Sequence, residues 1–139
     1  MISAVHLASA GDTVRVSLHI LAASVWVGGQ IVLGGLVPTV RGFGGDATKK
    51  VAQTFSRLVW PAFVVLIITG VWNITALHNG GSNSTWKMVL GMKIGVVVLA
   101  GLAVGAHTQV ASPKLKGMSA GIGMLASLIA MVMGVVLAG

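Results

Sequence analysis

Residues 90–106 read LGMKIGVVVLAGLAVGA, an apolar run that carries a single charged side chain, Lys93. A continuous run of this kind predicts a helix that crosses a bilayer, because about 20 apolar residues span about 30 Å of hydrocarbon. A lysine at that depth costs on the order of 2.5–3.5 kcal/mol on insertion scales. We therefore expect Lys93 to have a partner, a water-filled cavity or a function.

The rest of the chain has the same character. Of its 139 residues, 55% are hydrophobic and 8% are charged, whereas soluble domains have roughly 25% charged residues. Four spans are predicted, at Val14–Val37, Leu58–Leu77, Trp86–Ala106 and Met118–Ala138. Helices are favoured over a barrel because the apolar runs are continuous and do not alternate. The sequence thus predicts an all-α protein, one integral membrane domain over residues 1–139, folded as an up-down-up-down four-helix bundle.

The net charge of +7 comes mainly from two of the predicted loops. Their cations, in or beside loops one and three, are Arg41, Lys49, Lys50, Arg57, Lys114 and Lys116. By the positive-inside rule these loops are cytoplasmic and both termini lie on the outer side. A bilayer surface accounts for this basicity without any nucleic-acid partner. We therefore expect a multi-pass integral membrane protein with lipid as its first partner.

Ionisable side chains on two helices fall at one predicted depth. His19 and Lys93 each lie about 9 Å along an inward-running helix at 1.5 Å per residue. Arg15 and Trp26 share the helical face of His19, since they follow the spacing of three to four residues. Thr69, Asn73 and His78 add polar groups to the outer half of the second helix. The sequence therefore predicts a polar pocket in the outer leaflet.

Each of these residues also has a plainer interpretation. His19 either binds a ligand or handles protons, or it hydrogen-bonds a neighbouring helix. Lys93 either has a partner in the pocket or extends its ammonium group toward the interface. Met88 and Met92, one turn apart, either add thioether ligands for copper to the imidazoles of His19 and His78, or fill the core. The chain has no cysteine, which excludes thiolate metal sites and disulfides.

Small residues recur at four-residue spacing in the last two helices, which is typical of membrane helices that pack closely. The spaced residues are Gly91 and Gly95, Gly101 and Gly105, Gly123 and Ser127, and Ala130, Gly134 and Ala138. We therefore expect a tight bundle.

Several short motifs, in this order and spacing, resemble the copper-resistance D (CopD) membrane domain. They are His19 with Trp26-Val-Gly28-Gly29, Ser56-Arg57, Thr69-Gly70 with Asn73, and Trp86 through Lys93. The resemblance extends over roughly Val14 to Pro113. It implies a protein that binds or moves copper at the outer face of a bacterial cytoplasmic membrane.

The pairing of a histidine in helix one with a lysine in helix three is also similar to the HemJ-type membrane protoporphyrinogen oxidases. That resemblance implies haem b, with His19 and Lys93 in contact with it. The residues themselves allow His19 as an axial ligand, Trp26 as a wall of a flat pocket, and Arg15 or Lys93 as partners of the propionates. Asp12 and Asp46 are the only carboxylate side chains, so a bound anion would supply the counter-charge that Lys93 lacks.

A third interpretation makes the chain an accessory subunit of a larger membrane complex or of a homo-oligomer, with the polar layer merely joining helices. Hydrolytic chemistry has no support, because paired carboxylates, a Ser-His-Asp set and a phosphate-binding glycine motif are all missing. Copper binding or translocation, haem-based redox chemistry and a structural role therefore remain the three hypotheses.

Overall fold

Four long helices make up the protein. A computed structural model describes residues 8–77 and 83–138. Helix α1 runs over Ala10–Arg41, α2 over Gly45–Leu77, α3 over Ser84–Gln109 and α4 over Pro113–Ala138. All four are long and apolar enough to cross a membrane, and no strand occurs within the described residues. The predicted all-α fold with four spanning helices is confirmed.

Each helix begins before or ends beyond its predicted apolar span, because helical hydrogen bonding continues into polar sequence. Ser9 caps α1 by accepting a hydrogen bond from the backbone N–H of Asp12, and Asn83 caps α3 in the same way from Trp86. Helix α2 extends back to Gly45. The turn before it uses Gly44, whose φ of 99° lies in the left-handed region that favours glycine.

Consecutive helices pack antiparallel. His19 of α1 contacts Thr69 of α2, while Gly29, further along α1, meets Phe55, which lies earlier in α2. Contacts between α2 and α3 and between α3 and α4 also run in opposite directions, and the α3–α4 pair is the most extensive. The up-down-up-down order follows from these contacts, whereas the side of the membrane that each end faces stays a prediction.

Trp26 lies at the centre of the packed core. Its side chain is 2% exposed. The rings of Phe63 and Trp60 lie against it, with centroid distances of 4.2 Å and 6.0 Å. Its indole N–H donates a 2.8 Å hydrogen bond to the hydroxyl of Ser127. Trp26 therefore joins α1 to both α2 and α4.

The backbone around Trp26 forms a π-helical turn, Ser24–Gly28, inside α1. Such a turn accommodates one extra residue and often marks a functional region. Here Trp26 and Val27, which are adjacent in sequence, are both buried. The side-chain amide of Gln30 donates to the carbonyl oxygen of Trp26 at 2.9 Å, adding a hydrogen bond at the turn. The π turn thus presents an unusually wide buried face to the other helices.

Only some of the regularly spaced small residues lie in close contacts between helices. A β-carbon at Gly101 would lie 2.9 Å from the ring of Phe63, and one at Gly123 would lie 3.0 Å from Val104. Gly91 and Gly95 are exposed, and nothing lies within 4 Å of a β-carbon placed there. The expectation of close packing is therefore wrong for Gly91 and Gly95, because their face of α3 turns away from the bundle.

The bond between Trp26 and Ser127 leads to a stability prediction. We expect Ser127→Ala to cost about 1–3 kcal/mol, because it leaves the buried indole N–H without its acceptor. Thermal unfolding in detergent, followed by circular dichroism, measures this loss. Ser119→Ala serves as the matched control, because it removes a hydroxyl near the start of α4 that bonds the backbone oxygen of Lys116 within the same helix. An equal change in both variants would contradict a special role for the Trp26 bond.

Candidate functional site

The imidazole of His19 is fixed by a hydrogen bond to the neighbouring helix. Its Nδ1 lies 2.8 Å from the hydroxyl oxygen of Thr69. That hydroxyl in turn donates to the carbonyl oxygen of Val65 at 2.7 Å. With its single hydrogen used in this way, the Thr69 oxygen accepts from Nδ1, which leaves the lone pair on Nε2. This is the tautomer in which a histidine binds a metal through Nε2.

The contact with Thr69 makes a prediction about metal affinity. We expect Thr69→Val to weaken copper binding by about 10- to 100-fold, the usual effect of removing the partner that orients a histidine ligand. A competition titration with a coloured copper(I) chelator measures it. Thr69→Ser keeps the hydroxyl and should bind like the wild type. Thr75→Val removes an exposed hydroxyl that bonds within α2, and an equal loss there would contradict the prediction.

Lys93 of α3 reaches toward α4. A β-carbon at Gly134 would lie 2.9 Å from the Lys93 Nζ atom, so glycine leaves the space that the ammonium group occupies. The side chain of Lys93 is half-buried. Neither Asp12 nor Asp46, the only carboxylate side chains in the chain, lies in the apolar part of a span. Lys93 therefore brings a positive charge into the bundle without an aspartate or glutamate in its layer.

The contacts between helices place His19 and Lys93 at similar depth. His19 is level with Thr69, which lies about 9 Å beyond Phe63 along α2. Phe63 is level with Gly101, and Lys93 lies about 12 Å from Gly101 along α3, toward the same end of the bundle. The two side chains thus occupy layers about 3 Å apart along the bundle. His19 belongs to the α1–α2 pair and Lys93 to the α3–α4 pair.

Arg15 is buried one turn from His19 on α1, with 6% of its surface exposed. Its guanidinium forms a 2.9 Å ion pair with Asp12. The other carboxylate oxygen of Asp12 accepts a 2.7 Å hydrogen bond from Ser9. The Nε atom of Arg15 is buried without a hydrogen-bond partner. Arg15 and Asp12 therefore largely neutralise each other.

Two other predicted pocket residues lie in different surroundings. Trp26 is enclosed by Phe63 and Trp60 in the core, about two turns below His19. Asn73 is half-buried, one turn beyond Thr69 on α2. The contacts of Trp26 are with other helices, so its ring is already covered by protein.

The predicted copper ligands do not converge on His19 within the described part of the chain. Met88 and Met92 are 60% and 52% exposed on the outer surface of α3, and His78 lies outside the described residues. No group of three or more histidine, cysteine, aspartate or glutamate side chains that could hold a metal occurs among residues 8–77 and 83–138. His107 binds the backbone oxygen of Lys116 at the other end of the bundle. His19 is therefore the one described imidazole at its end of the bundle.

One known family shares the last three helices of this arrangement. A model of the copper resistance protein D family matches residues 49–139, which include α3, α4 and nearly all of α2. The chain belongs to the CopD family. No curated protein and no solved structure gives a significant match, so the resemblance to the HemJ-type oxidases is not supported.

The CopD match differs in extent from the resemblance read off the sequence. It begins at Lys49 and therefore leaves out His19, Trp26 and the glycines of α1. It includes α4, with Ser127 and Gly134, whereas the resemblance read off the sequence ended at Pro113. The family assignment thus rests on the helices that carry Thr69 and Lys93, and the role of His19 rests on its geometry.

Three features of the site could not be read from the sequence. The hydroxyl of Thr69 as the partner of His19, the space at Gly134 and the π turn all depend on how the helices are rotated against one another. The sequence signal for Thr69 was its place in the outer half of α2. For Gly134 the signal was the four-residue spacing of Ala130, Gly134 and Ala138, which did not indicate which side chain would fill the space.

Proposed function

We propose that the protein binds copper inside the bilayer and moves it through the bacterial cytoplasmic membrane, with both termini on the outer side. Membership of the copper-resistance family supports this class of function. The observation that carries the proposal is the hydrogen bond between His19 Nδ1 and Thr69, which leaves Nε2 as a donor atom for a metal. Imidazole is a suitable copper ligand.

In this proposal copper is the cargo, and His19 is its ligand within the membrane. The partial burial of His19 allows the ion to reach the imidazole while the surrounding helices exclude most of the lipid. Met88 and Met92 lie on an exposed surface of α3, so any copper that they bind would occupy a separate site. Their role as ligands, together with that of His78, stays a prediction.

Copper analysis tests the proposal. Protein purified in mild detergent from copper-fed cells is analysed by mass spectrometry of the metal, beside His19→Ala prepared in the same way. We expect about one copper ion per chain in the wild type and much less in the variant, because imidazole is the ligand that the site offers. Equal copper content in the two proteins, or none in either, would refute the proposal.

Haem b is a second candidate. The Nε2 atom of His19 could serve as its axial ligand, and the ammonium group of Lys93 could pair with a propionate. Trp26 does not fit its predicted place beside the haem, because Phe63 and Trp60 already cover it. Oxidised and dithionite-reduced absorption spectra decide the matter. A Soret band with resolved α and β bands after reduction would identify haem, and protein without haem or copper would favour an accessory subunit.

A further inference from the structure

We propose that copper(I) occupies the His19 site together with a small monovalent anion, and that the ammonium group of Lys93 binds this anion. The inference rests on the proposed function and defines its cargo: a neutral complex of copper(I) with a halide or a small thiolate. Two observations lead to it, the single free donor atom on His19 and the charge of Lys93 at similar depth.

The first step concerns coordination. Copper(I) needs at least two donor atoms, and His19 supplies one through Nε2. The hydroxyl of Thr69 is already engaged with His19 and with Val65. The chain contains no cysteine, and the thioethers of Met88 and Met92 lie on the exposed surface of α3. A second ligand that arrives with the ion completes the coordination.

The second step concerns charge. A bare copper(I) ion at His19 would add a positive charge to a layer that already holds the ammonium of Lys93, and like charges repel strongly where the dielectric constant is low. Asp12 does not compensate Lys93, because its carboxylate oxygens are taken by Arg15 and Ser9. An anion bound to copper neutralises the ion and attracts the ammonium group at the same time.

The third step concerns position. The Lys93 Nζ atom lies against α4 at Gly134, inside the bundle, instead of extending to the interface. His19 lies on the α1–α2 side of the same region. The imidazole and the ammonium group thus belong to opposite helix pairs in neighbouring layers, so a linear unit of imidazole, copper and anion would be directed from one helix pair toward the other. Soft, monovalent anions suit this position because copper(I) prefers soft ligands.

The experiment measures copper(I) affinity with and without a halide. Wild type, Lys93→Gln and Lys93→Arg are titrated against a coloured copper(I) chelator in chloride, and again in nitrate at equal ionic strength. Each variant is compared with the wild type in the same buffer, so that the effect of chloride on free copper cancels. Lys87→Gln removes an exposed lysine at the start of α3 and serves as the matched control.

We expect Lys93→Gln to weaken copper(I) binding about tenfold or more in chloride. In nitrate it should bind copper(I) as tightly as the wild type or more tightly, because no anion is bound and the substitution removes the repulsion between the ammonium group and the ion. Lys93→Arg, which keeps the charge, should retain most of the effect. X-ray absorption at the copper edge, with bromide in place of chloride, should show a bromide neighbour in the wild type and none in Lys93→Gln. A sulfur neighbour that appears only after a small thiol is added would identify a thiolate as the physiological anion.

Two results would overturn the inference. The first is that Lys93→Gln binds copper(I) in chloride as tightly as the wild type or more tightly, and that neither a halide nor an added thiol sulfur lies beside the metal. Lys93 would then not bind an anion at the copper site. If the wild type bound no copper in any buffer, the proposed function itself would fail and the inference with it. Size-exclusion elution of Lys93→Arg and Lys93→Gln at the same volume as the wild type shows that the two variants are folded.

Discussion

We expect His19→Ala to lose most of its copper affinity and to leave the helical bundle intact. The substitution removes the one described imidazole at this end of the bundle, and we expect a loss of affinity of about 100-fold or more. Folding should persist because His19 is half-buried and the Thr69 hydroxyl keeps its bond to Val65. Competition titration gives the affinity, and circular dichroism gives the stability of the same preparation.

His107→Ala is the control for the first prediction. It removes a histidine that also makes a hydrogen bond, to the backbone oxygen of Lys116, but at the opposite end of the bundle. Imidazole added to the buffer should partly restore copper binding to His19→Ala, since the free ligand fits the space that the side chain leaves. A His19→Ala protein that keeps wild-type affinity, or a His107→Ala protein that loses it, would place the copper site elsewhere.

The sequence predicted the buried face of α1 well. Arg15 and Trp26 were expected on the face of His19 at helical spacing, and both are buried, with His19 half-buried between them. The pattern works because a membrane helix has only one way to turn its polar side chains from lipid, and that face must point at the other helices. The same reasoning placed His19 and Lys93 at one depth, since depth depends only on the rise of each helix.

Contacts between helices were much harder to predict. Gly91 and Gly95 have the same spacing as Gly101 and Gly105, yet only the second pair faces the aromatic side chains of α2. Lipid is as apolar as the core, so hydrophobicity does not distinguish the outer face of a membrane helix from its inner face. For the same reason Met88 and Met92 looked like partners of His19 in the sequence, whereas the structure exposes them on α3.

Trp26→Ala should produce the largest loss of stability of any single substitution considered. The side chain is almost fully buried, and its removal leaves a cavity between Phe63 and Trp60. Replacing a buried aromatic residue by alanine costs about 3–5 kcal/mol. The hydrogen bond to Ser127 is lost as well. Thermal unfolding in detergent, followed by circular dichroism, measures the change, which we expect to lower Tm by on the order of 10 °C.

Trp72→Ala is the matched control, because Trp72 is 44% exposed near the end of α2. We expect it to change the free energy of unfolding by less than about 1 kcal/mol. Trp26→Phe separates the two contributions, since it keeps most of the aromatic packing and removes the donor to Ser127. If Trp26→Ala and Trp72→Ala were equally stable, the aromatic cluster would not hold α1 in place. In that case the position of His19 would depend on its own bond to Thr69.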